Sequence, residues 1–317
     1  MTKERHHYLP EFYLEGFVNP SDSPYMWVYE KGNPEIKKAS VRDVAVQKHY
    51  YSFITQEGQR DSETFENFLA FIENKAAPVF KKIKKQENLS EEERSWFAIF
   101  LASLMTRVPN FRESIEESAA EVIKRINLKM ASDPESFKSM IESFENETGN
   151  KVGPLIEDLQ KFILEGNYKI RVDPQFSLYM MTLINDFGPI FHEMNWTIFT
   201  SDDYRFITSD NPLFYDDPSH DPQSPFGVGL LNKNLRLTFP VTKELALLAT
   251  WSKGKCRYSK VPNKLVRSIN RRTIHSAFKF IFSSEKSDDL NNLAQKYKET
   301  SPKLKLISED RIILAVK

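Results

Sequence analysis

Cysteine is nearly missing from this chain. Among 317 residues only Cys256 carries a thiol, so no intrachain disulfide and no Cys-cluster zinc site can form. Glycine is scarce too, at 10 residues, and no Walker motif or dinucleotide fingerprint is present, which leaves little for phosphate-cradling loops. No Gly-x-Ser-x-Gly elbow surrounds a serine, and no His-x-x-x-His or His-Glu-x-x-His spacing offers a local metal site. Nothing approaches the roughly 18 consecutive apolar residues of a membrane span. The opening Met1-Thr2-Lys3-Glu4-Arg5 has no apolar centre of the kind a signal peptide needs, which points to a cytoplasmic protein with no membrane partner. Neither sign of charge is in excess: 44 Lys and Arg meet 44 Asp and Glu, so no global field draws the protein to nucleic acid. Repeats and low-complexity tracts are also lacking.

Aromatic residues are abundant instead, at 13% with 24 Phe, which favours a thick core over a disordered scaffold. They begin early. His6-His7-Tyr8-Leu9-Pro10 is followed by Phe12, Tyr13, Leu14 and Phe17, too much apolar area for a solvated tail. The segment is expected to dock on the core and hold its histidines in fixed places. At least one of His6 and His7 is expected within about 5 Å of a side chain from 208–212, 63–73 or 107, a reach that permits a direct or one-water contact.

The first 60 residues read as β-rich, with runs at Met26 to Tyr29 and His49 to Ile54, separated by the turn Lys31-Gly32-Asn33-Pro34. Ala39 to Gln47 is either a strand or a connector. From Ser62 the period changes: Phe65, Phe68, Leu69, Ile72, Ala76, Val79, Phe80 and Ile83 follow a helical stripe, which Pro78 should kink or divide. Ser90 and Glu93 make a capping box for a helix ending near Arg107, because Val108 precedes a proline. Further helices are predicted over 111–130, 134–147, 154–165 and 174–194. Strand patterns return at Trp196 to Thr200 and Arg205 to Thr208, predicted to pair as a hairpin, then at 235–239 and 245–250. A helix over 263–277, a strand over 278–282 and a last strand over 312–316 complete the pattern. The simplest architecture is a single α+β domain: a mixed or mostly antiparallel sheet built from both chain ends, 1–60 and 195–317, with helices over 61–193 inserted between them.

Three polar clusters carry candidate chemistry. His6 and His7 are adjacent, so in an extended segment their rings face opposite sides and only one can enter a given site. On the first long helix Glu66 and Glu73, seven apart, both fall on the border of the apolar stripe, where Arg107 is a suitable partner. That set is either a site or an ion pair between neighbouring helices. Thr208-Ser209-Asp210-Asn211-Pro212 sits where a strand ends: Asp210 is a candidate base, with Ser209 and Asn211 as donors to an anion. The same residue types also make purely structural Asx-turns. Lys253, Lys255, Arg257, Lys260, Lys264, Arg267, Arg271 and Arg272, with Trp251 and Tyr258, have the composition of a phosphate-binding face, or of the solvated side of a helix. Cys256 between two of these bases lacks any Cys-His signature.

These residues also form a pattern. His6-His7-Tyr8-x-Pro10-x-x-Tyr13-Leu14-x-x-Phe17, Trp27-Val28-Tyr29, Ser40-Val41-x-x-Val44-Ala45, Tyr50-Tyr51, Glu66, Glu73, Arg107 before Pro109, 208–212 and Phe239-Pro240-Val241-Thr242 together resemble domain of unknown function family 4238, found mainly in bacteria. Leu9 stands where Val or Ile is more usual, a conservative change. The resemblance adds Asn270 to the polar set, and it implies that the three clusters belong to one recurring arrangement. It brings no reaction, substrate or cofactor with it, and the metal content and oligomeric state are likewise not given by the residues.

Two functions fit. One is a hydrolase acting on a phosphorylated or nucleic-acid substrate, with His6, His7 and Asp210 as acid–base groups, Glu66 and Glu73 orienting them or holding a metal, and Arg107, Ser209, Asn211 and Asn270 binding substrate. The other is a non-catalytic binding or sensor protein, in bacterial defence against phage or a toxin-like context, in which the histidine segment is a packed clamp.

Overall fold

In the computed structural model, which describes residues 4–152, 156–221, 227–252, 254, 257–300, 304–308 and 311–316, the first elements are β1 (Arg5–His7), the short helix α1 (Glu11–Leu14), β2 (Tyr25–Glu30) and β3 (Asn33–Ser40). Gly32, at φ +80, supplies the left-handed residue that joins β2 to β3. Pro34 is accommodated because β3 lies at the edge of its sheet. Three short strands follow: β4 (Val46–Lys48), β5 (Phe53–Ile54) and β6 (Arg60–Asp61). The run predicted from His49 is interrupted by a turn, with His49 itself at φ 55, so only its last two residues are strand.

The helices are α2 (Thr64–Lys84), α3 (Glu91–Arg107), α4 (Pro109–Ala131), α5 (Pro134–Thr148), α6 (Ile156–Glu165), α7 (Pro174–Tyr179) and α8 (Ile184–Glu193). Helix α2 buries Leu69, Ile72, Ala76, Val79, Phe80 and Ile83 of the stripe read from the sequence, whereas Phe65, in the first turn, is only partly buried and Phe68 is exposed. It continues through Pro78 as one helix, with the proline on the exposed side. The capping box of α3 is formed in both directions: Ser90 Oγ accepts from Glu93 N–H at 3.2 Å and Glu93 Oε2 from Ser90 N–H at 2.9 Å. Pro154, expected at the start of the 154–165 helix, lies outside the described residues.

The second half contributes β7 (Asn195–Thr200), β8 (Thr208–Ser209), β9 (Phe214–Asp216), β10 (Arg236–Pro240), β11 (Leu245–Thr250), β12 (Arg257–Lys260), α9 (Asn263–Ser276), β13 (Phe280–Ser283), α10 (Asp288–Lys296) and the ribbon β14 (Leu304–Ser308) with β15 (Arg311–Val316). The fold is α+β, and its strand pairings are antiparallel except β12 with β7. One sheet, ordered β3-β2-β13-β8, joins both chain ends; a second, β12-β7-β11-β10-β9, comes from residues after 194 alone.

The expected hairpin between 196–200 and 205–208 does not form. Strand β7 pairs with β11 and β12, and the chain after it crosses to the other sheet, where Thr208 and Ser209 pair with β13. The crossing is held from outside: Phe206 N–H donates to Lys243 O, and Asn270 takes Ile207 N–H on its Oδ1. A short polar link with flanking alternation suggested a local turn, but these distant partners satisfy the backbone instead.

The largest apolar cluster draws Tyr13 and Phe17 from the start of the chain, Ile72 and Phe80 from α2, Phe97 and Phe100 from α3, and Trp196 and Phe239 from the second half. The amino-terminal segment is therefore core. Gly16 marks how close it comes: a Cβ there would stand 3.3 Å from the carbonyl oxygen of Val241 and 3.3 Å from Thr242 Cγ2.

Candidate functional site

Strand β1 sets the two histidines apart. Paired with β4 in the register His6↔Gln47 and His7↔Val46, it turns the His6 ring inward, fully buried, while His7 stays partly exposed on the other face. The turn after β4 then brings Tyr51 over His6. Tyr51 N–H donates to His6 Nδ1 at 3.0 Å and the two rings stack with centroids 5.4 Å apart. Because Nδ1 accepts that bond, the proton of the neutral imidazole sits on Nε2. Nε2 lies 3.5 Å from Glu66 Oε2, within the reach expected of this segment. The Tyr51 hydroxyl completes the arrangement by donating to the His7 carbonyl at 3.2 Å.

Across from these groups, α3 ends at Arg107. Cationic side chains are favoured at a helix C-terminus, but this one is also wholly buried. Its Nη1 donates to Glu73 Oε1 at 2.6 Å. Its Nε and Nη2 are buried and have no hydrogen-bond partner among the described residues. Such donors are costly to leave unmade. A cavity of about 240 Å³ opens beside them, lined by His7, Glu11, Tyr51, Glu66, Glu73 and Arg107 among others. On its far wall His7 Nε2 is 3.1 Å from the Arg42 carbonyl and 3.9 Å from Glu11 Oε1.

Five of the sequence-chosen residues thus converge: His6, His7, Glu66, Glu73 and Arg107. Ser209, Asp210, Asn211 and Asn270 gather elsewhere, against α9 and β13, and none of them lines the cavity. Asp210 is nearly fully buried and accepts three backbone N–H groups, from Phe278 at 2.8 Å, Lys279 at 2.7 Å and Phe280 at 2.8 Å. Burial pushes its carboxyl up to about 6, against the pull of those three donors and of the Lys31 ammonium. Ser209 Oγ donates to Asn211 O at 2.9 Å and Asn211 Nδ2 to Ser276 O at 2.9 Å. Asn270 holds the 205–207 crossing from both sides, with Nδ2 donating to Arg205 O at 2.8 Å. The polar atoms of this cluster are engaged in joining segments.

Sequence reasoning passed over Tyr51, Glu11 and Lys31 as functional residues. Glu11 had a legible signal, four positions after His7. Tyr51 had none beyond its place in an aromatic run, since only the turn aims its N–H at His6. Lys31 looked like part of a turn, yet its ammonium is buried and donates to the carbonyls of His275, Ala277 and Thr300 at 3.2, 2.6 and 2.5 Å. Burial lowers it to about 8, while Asp210 pulls the other way.

The basic group after residue 250 is divided. Lys260 pairs with Asp202 at 2.6 Å, Arg272 lies 3.7 Å from Asp216, and Arg267 covers the Tyr204 ring. Lys253, Lys255 and Cys256 lie outside the described residues. Among the described residues no group of three or more His, Cys, Asp or Glu is placed to hold a metal ion, and no helix is long and apolar enough to cross a membrane.

Fold and geometry together define an α+β protein with a small polar cleft, walled by its amino-terminal segment on one side and by α2 and α3 on the other. The chain belongs to the family described as Protein of unknown function (DUF4238), whose sequence profile matches residues 5–287. No curated protein and no solved structure matches it significantly.

Proposed function

We propose that this cleft is the active site of a hydrolase acting on a small phosphorylated molecule. One observation carries the reading: a fully buried guanidinium, bonded to Glu73 through Nη1 alone, keeps two N–H groups without an acceptor in a residue that lines a cavity with Glu66. Arg107 anchors the phosphoryl oxygens through its planar fork. Glu73, paired with Arg107 Nη1 at the phosphoryl end, takes the proton of the water whose oxygen bonds to phosphorus; the P–O bond to the ester oxygen breaks, and that oxygen leaves with a proton from solvent. Glu66, oriented by His6 Nε2–H, holds the other end of the substrate. His6 is a positioning residue here, because Tyr51 N–H occupies Nδ1. Asp210, Ser209, Asn211 and Asn270 keep the strands in place. The cavity volume suits a small molecule better than a nucleic-acid strand.

Binding without turnover is the second reading, favoured by the fixed tautomer of His6, which takes that ring out of proton shuttling. Phosphate release from a panel of phosphorylated metabolites, with and without divalent metal, separates the two. The hydrolase reading expects turnover that Glu73→Gln lowers by about a hundredfold or more while ligand binding persists, in line with loss of a general base. Ligand binding with no phosphate release by the wild type would leave only the binding reading.

A further inference from the structure

The charges around the cleft point beyond a simple anion. Glu11, Glu66 and Glu73 line it against Arg107 and His7, so the wall is net negative whether or not His7 carries a proton. Arg42 reaches Glu11 at 3.7 Å from outside, but it is four-fifths exposed and solvent screens it. A ligand with nothing but negative charge meets one guanidinium already paired with Glu73 and two further carboxylates. From this we infer that the ligand of the cleft is zwitterionic: an anionic group seated on Arg107 and an ammonium group held by carboxylates at the opposite end. The inference rests on the proposed reading of Arg107 as an anion anchor and names the class of molecule it anchors.

The helix supplies the spacing. Glu66 and Glu73 are seven residues apart on α2, roughly 10 Å along its axis at 1.5 Å per residue. Arg107 is tied to the Glu73 end by their 2.6 Å bond. Between the two glutamates, Leu69 and Ala70 also line the cavity. They give an apolar floor to a short methylene chain, with polar ends on either side. An aminoalkyl phosphate and an amino-alkanoic acid share this chemistry.

Calorimetric titration of the full chain with matched probes tests it: 3-aminopropyl phosphate against propyl phosphate, and 5-aminopentanoate against pentanoate. In at least one pair the aminated probe is expected to bind about tenfold tighter, the worth of one charge-assisted contact. Glu66→Gln should close that gap without abolishing binding. Equal or tighter binding of the des-amino probe in both pairs overturns the zwitterion. If that binding is still lost in Arg107→Met, the anion anchor survives. Propylamine binding as tightly as the zwitterions would make the cleft a plain cation site and overturn the inference as well. Binding confined to the carboxylate pair keeps the zwitterion and ends the phosphoryl reading of the preceding section. No binding by any probe removes both.

Discussion

The α2 cleft and the 208–212 cluster are built from the same kinds of residue, and they use them in opposite ways. In the cluster a buried carboxylate, two amides and a hydroxyl all spend their hydrogen bonds on backbone, so β8, β13 and α9 are fastened to one another. In the cleft a buried guanidinium meets a single carboxylate and leaves two donors without a partner in a residue that lines a cavity. Polar residue type alone therefore separates nothing. What distinguishes a site from a fastening is whether the donors and acceptors are already used up.

That contrast can be broken at several points. Deleting residues 1–17 should have the largest effect, because it removes a wall of the cleft and the partners of the cluster's edge together. Tyr8, Leu9, Tyr13, Leu14 and Phe17 are buried, and at roughly 1.5–3 kcal/mol each their loss matches the whole net stability of an ordinary domain, about 5–15 kcal/mol. The truncated chain is expected to show no cooperative thermal transition by circular dichroism. A transition at the wild-type temperature would show that the segment is dispensable.

Asp210→Ala comes next. It strands three part-buried backbone N–H groups, and at the lower end of the roughly 1–3 kcal/mol for an unmet donor, urea unfolding should report a loss on the order of 3 kcal/mol. The protein that remains folded should bind cleft ligands as the wild type does; lost affinity at full folding would tie the cluster to the site.

In the cleft, Glu73→Gln and Arg107→Met should be unequal. The first leaves a charged guanidinium buried, for about 3 kcal/mol, near the lower range for breaking a buried pair. The second leaves only Glu73, which is 26% exposed and can rehydrate, so its cost should be smaller. Equal unfolding midpoints would show that the pair does not carry this asymmetry.

Asp210 also sets a pH dependence. Its folded value is raised from 3.8 to about 6, so the folded state holds the proton more tightly than the unfolded one. The resulting stabilisation is complete below about 4 and disappears as pH rises through 6, a change on the order of 3 kcal/mol. Asp210→Asn should flatten this component of a urea-midpoint series from pH 4.5 to 7.5; an unchanged slope would assign it to other groups. His7→Ala, on a partly exposed side chain, should move the midpoint by less than about 0.5 kcal/mol.

The legible part of the molecule was whatever is written locally. The stripe from Leu69 to Ile83, the Ser90–Glu93 cap and the stop at Arg107 are properties of neighbouring residues, and all appear as read. So does the pairing of Arg107 with one of the α2 glutamates, because the helical period places both near one border. What escaped depends on partners far along the chain. Arg205 to Thr208 fails to fold back because Lys243 and Asn270 take its backbone. Asp210 looked exposed to chemistry because the N–H groups that saturate it belong to residues 278–280. No local pattern announces either. The sheet predicted as one is divided for the same reason, its strands shared between two larger sheets and three two-stranded ribbons, since strand order is settled by distant pairing.

Tyr13 gives this arrangement a direction in time. Its hydroxyl contacts Thr208 Oγ1 at 2.6 Å and donates to the Pro240 carbonyl at 2.9 Å, a partner 227 residues later. The cleft residues themselves, from His6 to Arg107, are all made before either of these partners. The wall that bears Glu11 is nevertheless moored to Thr208 and Pro240, which are made on the order of ten seconds afterwards at ordinary elongation rates. A nascent chain thus carries every side chain of the cleft long before it has the cleft, whose amino-terminal wall is fixed only once Thr208 and Pro240 have been made.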